Sequence, residues 1–191
     1  MPTEKPIGLL ILGLGNVLCG DDGLGAAAVH RLARAYALPS GARVVDGGTL
    51  GLSLLPYLED ADQAILVDAI RAEGLPAGSL VRLEGDEVGP AVAGRLSPHQ
   101  VGVADLLEGA RLLERYPRRL VLLGIVPASL GLGIVRSPAV EARLDELIER
   151  VAEEARSFGF PLSARSRDEA LPAEDADGPV PARDVARALG L

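Results

Sequence analysis

Short apolar runs alternate with amphipathic stretches over the first 160 residues, and polar residues repeatedly fall just after an apolar run. Residues 7–12 lead into Gly13-Leu14-Gly15-Asn16-Val17-Leu18 and then Asp21-Asp22-Gly23. Arg43-Val44-Val45 leads into Asp46-Gly47-Gly48-Thr49, and Ala64-Ile65-Leu66-Val67 runs straight into Asp68. Residues 120–126 read as a further buried strand, and residues 80–83, after the glycines at 74 and 78, as a hairpin-like edge strand. Leu24, Ala28, Leu32 and Tyr36 recur at helical spacing and predict a helix over 23–36, which Asp21 or Asp22 can cap. A short helix is expected near 50–58. Ser97-Pro98-His99-Gln100 opens another, marked by Val103, Leu106, Leu107, Ala110 and Leu113, and Val140, Leu144, Leu147 and Val151 mark the last long one. Strands alternating with helices predict an α/β architecture, with helices on both faces of the sheet.

Beyond Pro161 the composition turns to Ser, Arg, Asp, Glu, Pro and Ala, so one domain over 1–160 is expected, followed by a loose tail over 161–191 with a short terminal helix near 180–191. The 191-residue length and 48% hydrophobic content suit a single domain with a substantial core. A formal charge of −8 argues against a nucleic-acid surface. No apolar run reaches the roughly 20 residues of a membrane span, no basic segment followed by an apolar signal opens the chain, and the single cysteine, Cys19, has no internal disulfide partner. A cytoplasmic location is expected.

Ligands of open α/β sheets bind outside the carboxyl ends of the strands, where this pattern collects its acids and an imidazole. Gly13 and Gly15 begin a dinucleotide fingerprint, but its third glycine would fall at Leu18, and with Lys5 the only lysine no phosphate-binding Gly-Lys-Ser/Thr occurs. Asp21 and Asp22 can each act as a helix cap, yet two adjacent acids leave one spare. Asp46 either closes an Asx-turn over Gly47-Gly48 or lines a site. Asp68 ends a fully apolar run, where a carboxylate is costly without a partner, and reads as functional. His99 can act as acid, base or metal ligand at its helix start. His30 lies off the apolar stripe of the first helix and reads as a partly exposed surface residue; Cys19 has no base beside it and is not nominated as a nucleophile. Asp22, Asp68 and His99 together form a three-ligand set suited to a hard or borderline divalent ion.

Taken together, the Gly13–Leu18, Asp21–Gly25, Asp46–Thr49, Val67–Ala69 and Ser97–Gln100 motifs closely resemble the hydrogenase maturation proteases over about residues 7–158. The resemblance implies a three-layer α/β/α fold with a twisted, mainly parallel sheet of about five strands. It implies an endopeptidase that removes a short C-terminal peptide from the nickel-loaded precursor of the nickel-iron hydrogenase large subunit. Asp22, Asp68 and His99 would be the residues that engage the nickel and carry catalysis, the metal arriving with the substrate. Asp46, Gly47, Gly48 and Thr49 would help form the substrate-recognition cleft. The chain departs from the family at Ala128, where many members carry glutamate, and in its longer tail. A non-catalytic checkpoint or chaperone protein using the same ligands is the alternative.

Overall fold

The computed structural model describes the backbone of residues 6–93, 98–165 and 180–181, and their side chains except at 93–101 and 180–181. In chain order the elements are β1 (Ile7–Leu14), α1 (Leu24–Ala35), β2 (Tyr36–Ala37), β3 (Ala42–Gly48), α2 (Leu55–Asp60), β4 (Ala61–Ala69), β5 (Leu80–Glu84), α3 (Val88–Ala93), α4 (Pro98–Leu112), β6 (Arg119–Ile125), α5 (Pro138–Glu141), α6 (Leu144–Ser157), β7 (Ser163–Ala164) and β8 (Val180–Pro181), with 3-10 turns at Gly20–Gly23, Gly51–Leu54 and Gly85–Glu87.

The main sheet runs β5-β6-β4-β1-β3-β8. All its pairings are parallel except that of β5 with β6. The five expected strands are therefore present, with β5 at an edge and a two-residue sixth strand beyond β3. Parallel strands buried on both faces read as continuous apolar runs, and the alternation sorts them into two cores. Leu9, Ile11, Ile65, Val67, Val121 and Leu123 pack with α1 and α6 on one face. Leu10, Leu12, Leu66 and Leu122 pack with Leu58 of α2, Val88 and Val92 of α3 and Leu106 of α4 on the other. The result is the three-layer α/β/α arrangement.

Four expectations are corrected by the structure. Neither Asp21 nor Asp22 caps α1, whose N-cap is Gly23 with no side-chain bond; both acids lie in the preceding 3-10 turn. The last helix is two, because Ser137 caps a short α5 by accepting from the Val140 N–H and that turn closes at Ala142 before α6 begins. The tail is not loose from its start: Leu162 is buried, β7 pairs antiparallel with β2, and the Arg165 N–H donates to the Ala35 carbonyl at 2.8 Å. Val180–Pro181 is strand where a helix was expected; the rest of the tail lies outside the described residues. Among the described residues no helix is long and apolar enough to cross a membrane.

The first turn of α1 lies directly on the sheet. A Cβ at Gly25 would stand 2.2 Å from the Leu14 carbonyl oxygen and 2.3 Å from that of Val67, both rigid backbone. Gly25→Val is expected to destabilise by about 3 kcal/mol, the upper end of overpacking penalties, and to lower Tm by about 6–12 °C in a calorimetric scan.

Candidate active site at the carboxyl edge

The connections from β1 to β3 and from β3 to β4 lead to opposite sides of β1, so the sheet changes winding direction between β1 and β4. Such a switch point opens a crevice at the carboxyl ends of its two strands. Asp22 follows β1 and Asp68 is the penultimate residue of β4. Both are fully buried. Gly15 sits between them: a Cβ there would stand 1.8 Å from the Asp22 carbonyl oxygen and 3.8 Å from Asp68 Oδ1, and the backbone has φ +121°, a conformation glycine adopts without strain. The Asn16 N–H donates to Asp22 Oδ2 at 2.9 Å, and the Ala69 N–H to Asp68 Oδ1 at 2.7 Å.

The Asp46-Gly47-Gly48-Thr49 loop joins the same edge from β3. Asp46 pairs in register with Gly13, and the Gly15 N–H donates to the Gly48 carbonyl at 3.0 Å. Asp46 Oδ1 accepts from the Gly48 N–H at 3.1 Å, closing the Asx-turn, while His30 Nε2 stands 3.0 Å from Oδ2. The half-exposed His30 therefore orients the acid of the Asp46–Thr49 loop, a role its position off the apolar stripe did not reveal. α4 reaches this edge too, since Gly51, just after the loop, approaches Gly102 so closely that a Cβ at Gly51 would stand 3.0 Å from the Gly102 Cα. His99 lies in the first turn of α4, one turn before Gly102; its side chain lies outside the described residues. Among the described residues no three His, Cys, Asp or Glu side chains converge as a metal site.

Asp21 has a different task from its neighbour. Its carboxylate accepts from the Ser137 N–H and, at 2.9 Å, from the Ser137 hydroxyl, and from the Ala128 and Ser129 N–H groups at 2.8 and 3.1 Å. Burial pushes its carboxyl up, but the donors from Ser137, Ala128 and Ser129 outweigh that and hold it below the ordinary aspartate value of 3.8. Ala128, the departure from the family pattern, contributes its backbone N–H, which any residue except proline supplies. Parallel pairing of Cys19 with Gly133 ties the same two loops together, through Gly20 N–H to Gly133 O and Gly133 N–H to Leu18 O. Three residues past Asp68, a cleft of about 370 Å³ opens between Arg71 and the 126–130 segment.

Two buried aspartates at the switch point of a mainly parallel sheet lie at the edge where open α/β sheets bind their ligands. A family model described as hydrogenase maturation protease matches residues 26–154. The hydrogenase expression/formation protein HupD of Rhodobacter capsulatus is 40% identical over 166 residues, 85% of this chain and 78% of that protein. The hydrogenase 2 maturation protease of Escherichia coli is 36% identical over 151 residues, 79% of this chain and 92% of that protein. The solved structure of the hydrogenase maturating endopeptidase HybD from E. coli matches with a TM-score of 0.79 at 34% identity, covering 83% of this chain and 98% of that one. The chain belongs to the hydrogenase maturation protease family and is a peptidase.

The Asp21 network also sets a pH dependence. A depressed folded-state value contributes stability that is present above the unfolded-state value of about 3.9 and is lost as pH falls through the folded-state value. Asp21→Asn is expected to cost about 3 kcal/mol at pH 7, measured by urea unfolding, and the gap to wild type is expected to shrink as pH falls below about 4.

Proposed function

We propose that this peptidase works in the cytoplasm on the precursor of the nickel-iron hydrogenase large subunit, removes a short C-terminal peptide from it, and recognises the nickel that the precursor carries through Asp22, Asp68 and His99. The observation that supports this reading best is the pair of fully buried aspartates at the β1/β4 switch point, with Gly15 between the backbone carbonyl of Asp22 and the carboxylate of Asp68. Two carboxylates and an imidazole suit a borderline divalent cation and leave positions for its other ligands. With the cation borne by the substrate, the enzyme supplies only part of the coordination shell, and a precursor without nickel lacks the contact that seats it.

Hydrolysis adds the oxygen of one water to the scissile carbonyl carbon and delivers a proton to the leaving amine. A buried carboxylate at this edge serves as the group that takes the water's proton and passes it on. Nickel held by Asp22, Asp68 and His99 would supply Lewis-acid polarisation of the scissile carbonyl or of the water. Asp46, positioned by His30 and by its own Asx-turn, shapes the cleft with Gly47, Gly48 and Thr49.

Purified protein incubated with nickel-loaded precursor is expected to release a C-terminal peptide, read as a mass loss, while nickel-free precursor stays intact. Asp22→Asn, Asp68→Asn and His99→Ala are each expected to slow the release by about 100-fold or more. A nickel-free precursor cut as fast as the loaded one would remove the nickel-reading role, and variants as fast as wild type would remove the site.

A further inference from the structure

The loops that frame the buried acids expose apolar side chains of their own. Leu132 is 94% exposed, Val135 80% and Ile134 75% in the segment after β6, and Leu18 57% and Val17 54% in the turn after β1. In a chain with 24% charged residues, neither 13–20 nor 127–135 contains one. Exposed apolar patches mark interaction sites, and depletion of charge is the compositional signal of an interface core.

These loops are also held in place. The Cys19–Gly133 pairing and the four hydrogen bonds to Asp21 fix them to one another. A segment that exposes leucine and isoleucine while its backbone is anchored presents a preformed surface, so a partner loses less conformational entropy in binding it.

The rim and the acids share one turn. The Asn16 N–H binds the Asp22 carboxylate, and a Cβ at Gly23 would stand 2.9 Å from the Val17 Cα. A folded protein whose chain reaches Asp22 therefore lies across Val17 and Leu18, and the bridge to Gly133 carries that contact onto Leu132, Ile134 and Val135. We infer that this uncharged rim is the docking surface for the folded body of the hydrogenase large-subunit precursor, received through an apolar, uncharged face beside its C-terminal extension. The inference rests on the function proposed above and adds the residues that hold the substrate away from the reacting atoms.

The test compares wild type with Leu132→Ser/Ile134→Ser/Val135→Ser, with Leu18→Ser on the other loop, and with Leu112→Ser. Leu112 is 84% exposed at the far end of α4 and serves as the surface control. Cleavage kinetics of nickel-loaded precursor, precursor affinity by interferometry, and sedimentation of each protein alone are measured. For the triple variant kcat/KM is expected to fall at least about tenfold, entirely through KM, with weaker precursor binding to match and unchanged Tm. Leu18→Ser is expected to act in the same direction, and Leu112→Ser to match wild type. If wild type leaves the precursor uncut, the cleavage reading fails, yet loss of precursor affinity in the triple variant alone still supports the docking surface. Unchanged KM and affinity in the triple variant overturn it, as does an equal loss in Leu112→Ser. A wild-type dimer dissolved by the triple substitution without change in precursor affinity assigns the rim to contact between copies and overturns it too.

Discussion

The backbone of α1 at Gly25 rests on the carbonyl oxygens of Leu14 and Val67, and the ends of β1 and β4 cannot separate or slide without displacing the helix. Because the site lies at those two ends, this contact governs where its acids stand. It draws the 3-10 turn carrying Asp22 down beside Gly15 and faces it toward Asp68 across a space too small for a side chain. Interiors packed at crystal-like density transmit strain rather than absorb it. A distortion of the helix-to-sheet contact would therefore be felt first as a change in the spacing of the two carboxylates.

Asp21 and Asp22 show how adjacent residues of one type divide the work of a site. Both are buried in one turn, but Asp21 faces the segment after β6 and accepts four donors from it, whereas Asp22 accepts from Asn16 in the loop directly after β1. The first joins two loops and the second stays beside Gly15 at the carboxyl ends of the strands. A carboxylate saturated by hydrogen bonds is well suited to the structural task, since its ionised form is strongly favoured. His30 does comparable work for Asp46, so two of the acids at this edge are supported from elements other than their own.

Much of this was readable because the relevant signals are local. An apolar run ending in an acid marks both a strand and its carboxyl end, which is how Asp46 and Asp68 could be placed before their neighbours were known. The pairing of Asp21 with Ala128, Ser129 and Ser137 spans more than a hundred residues and leaves no periodicity in the chain, so its acid looked like a helix cap. The break between α5 and α6 was hidden because Val140 and Leu144 continue the apolar spacing across it; the Ser137-Pro138 start signal was present but said nothing of where the turn would end. β8 is two residues long, below the length at which alternation can be recognised. The resemblance of several short motifs in one order reached the family, whereas the exposed loop at 132–135 carries none of those motifs and went unmarked.

The two borders of the sheet are closed by unlike means. On one side Arg82 of β5 is tied to Glu84 and Glu154, placing charge along an outer strand, which resists further strand addition. On the other, Pro181 of β8 aligns with Asp46 of β3, and proline has no N–H to offer another strand. A protein that keeps an oily rim at one end of its strands faces the hazard of fibre growth along its flanks. With charge along one border and proline on the other, the apolar rim is set apart from the edges at which strands could add.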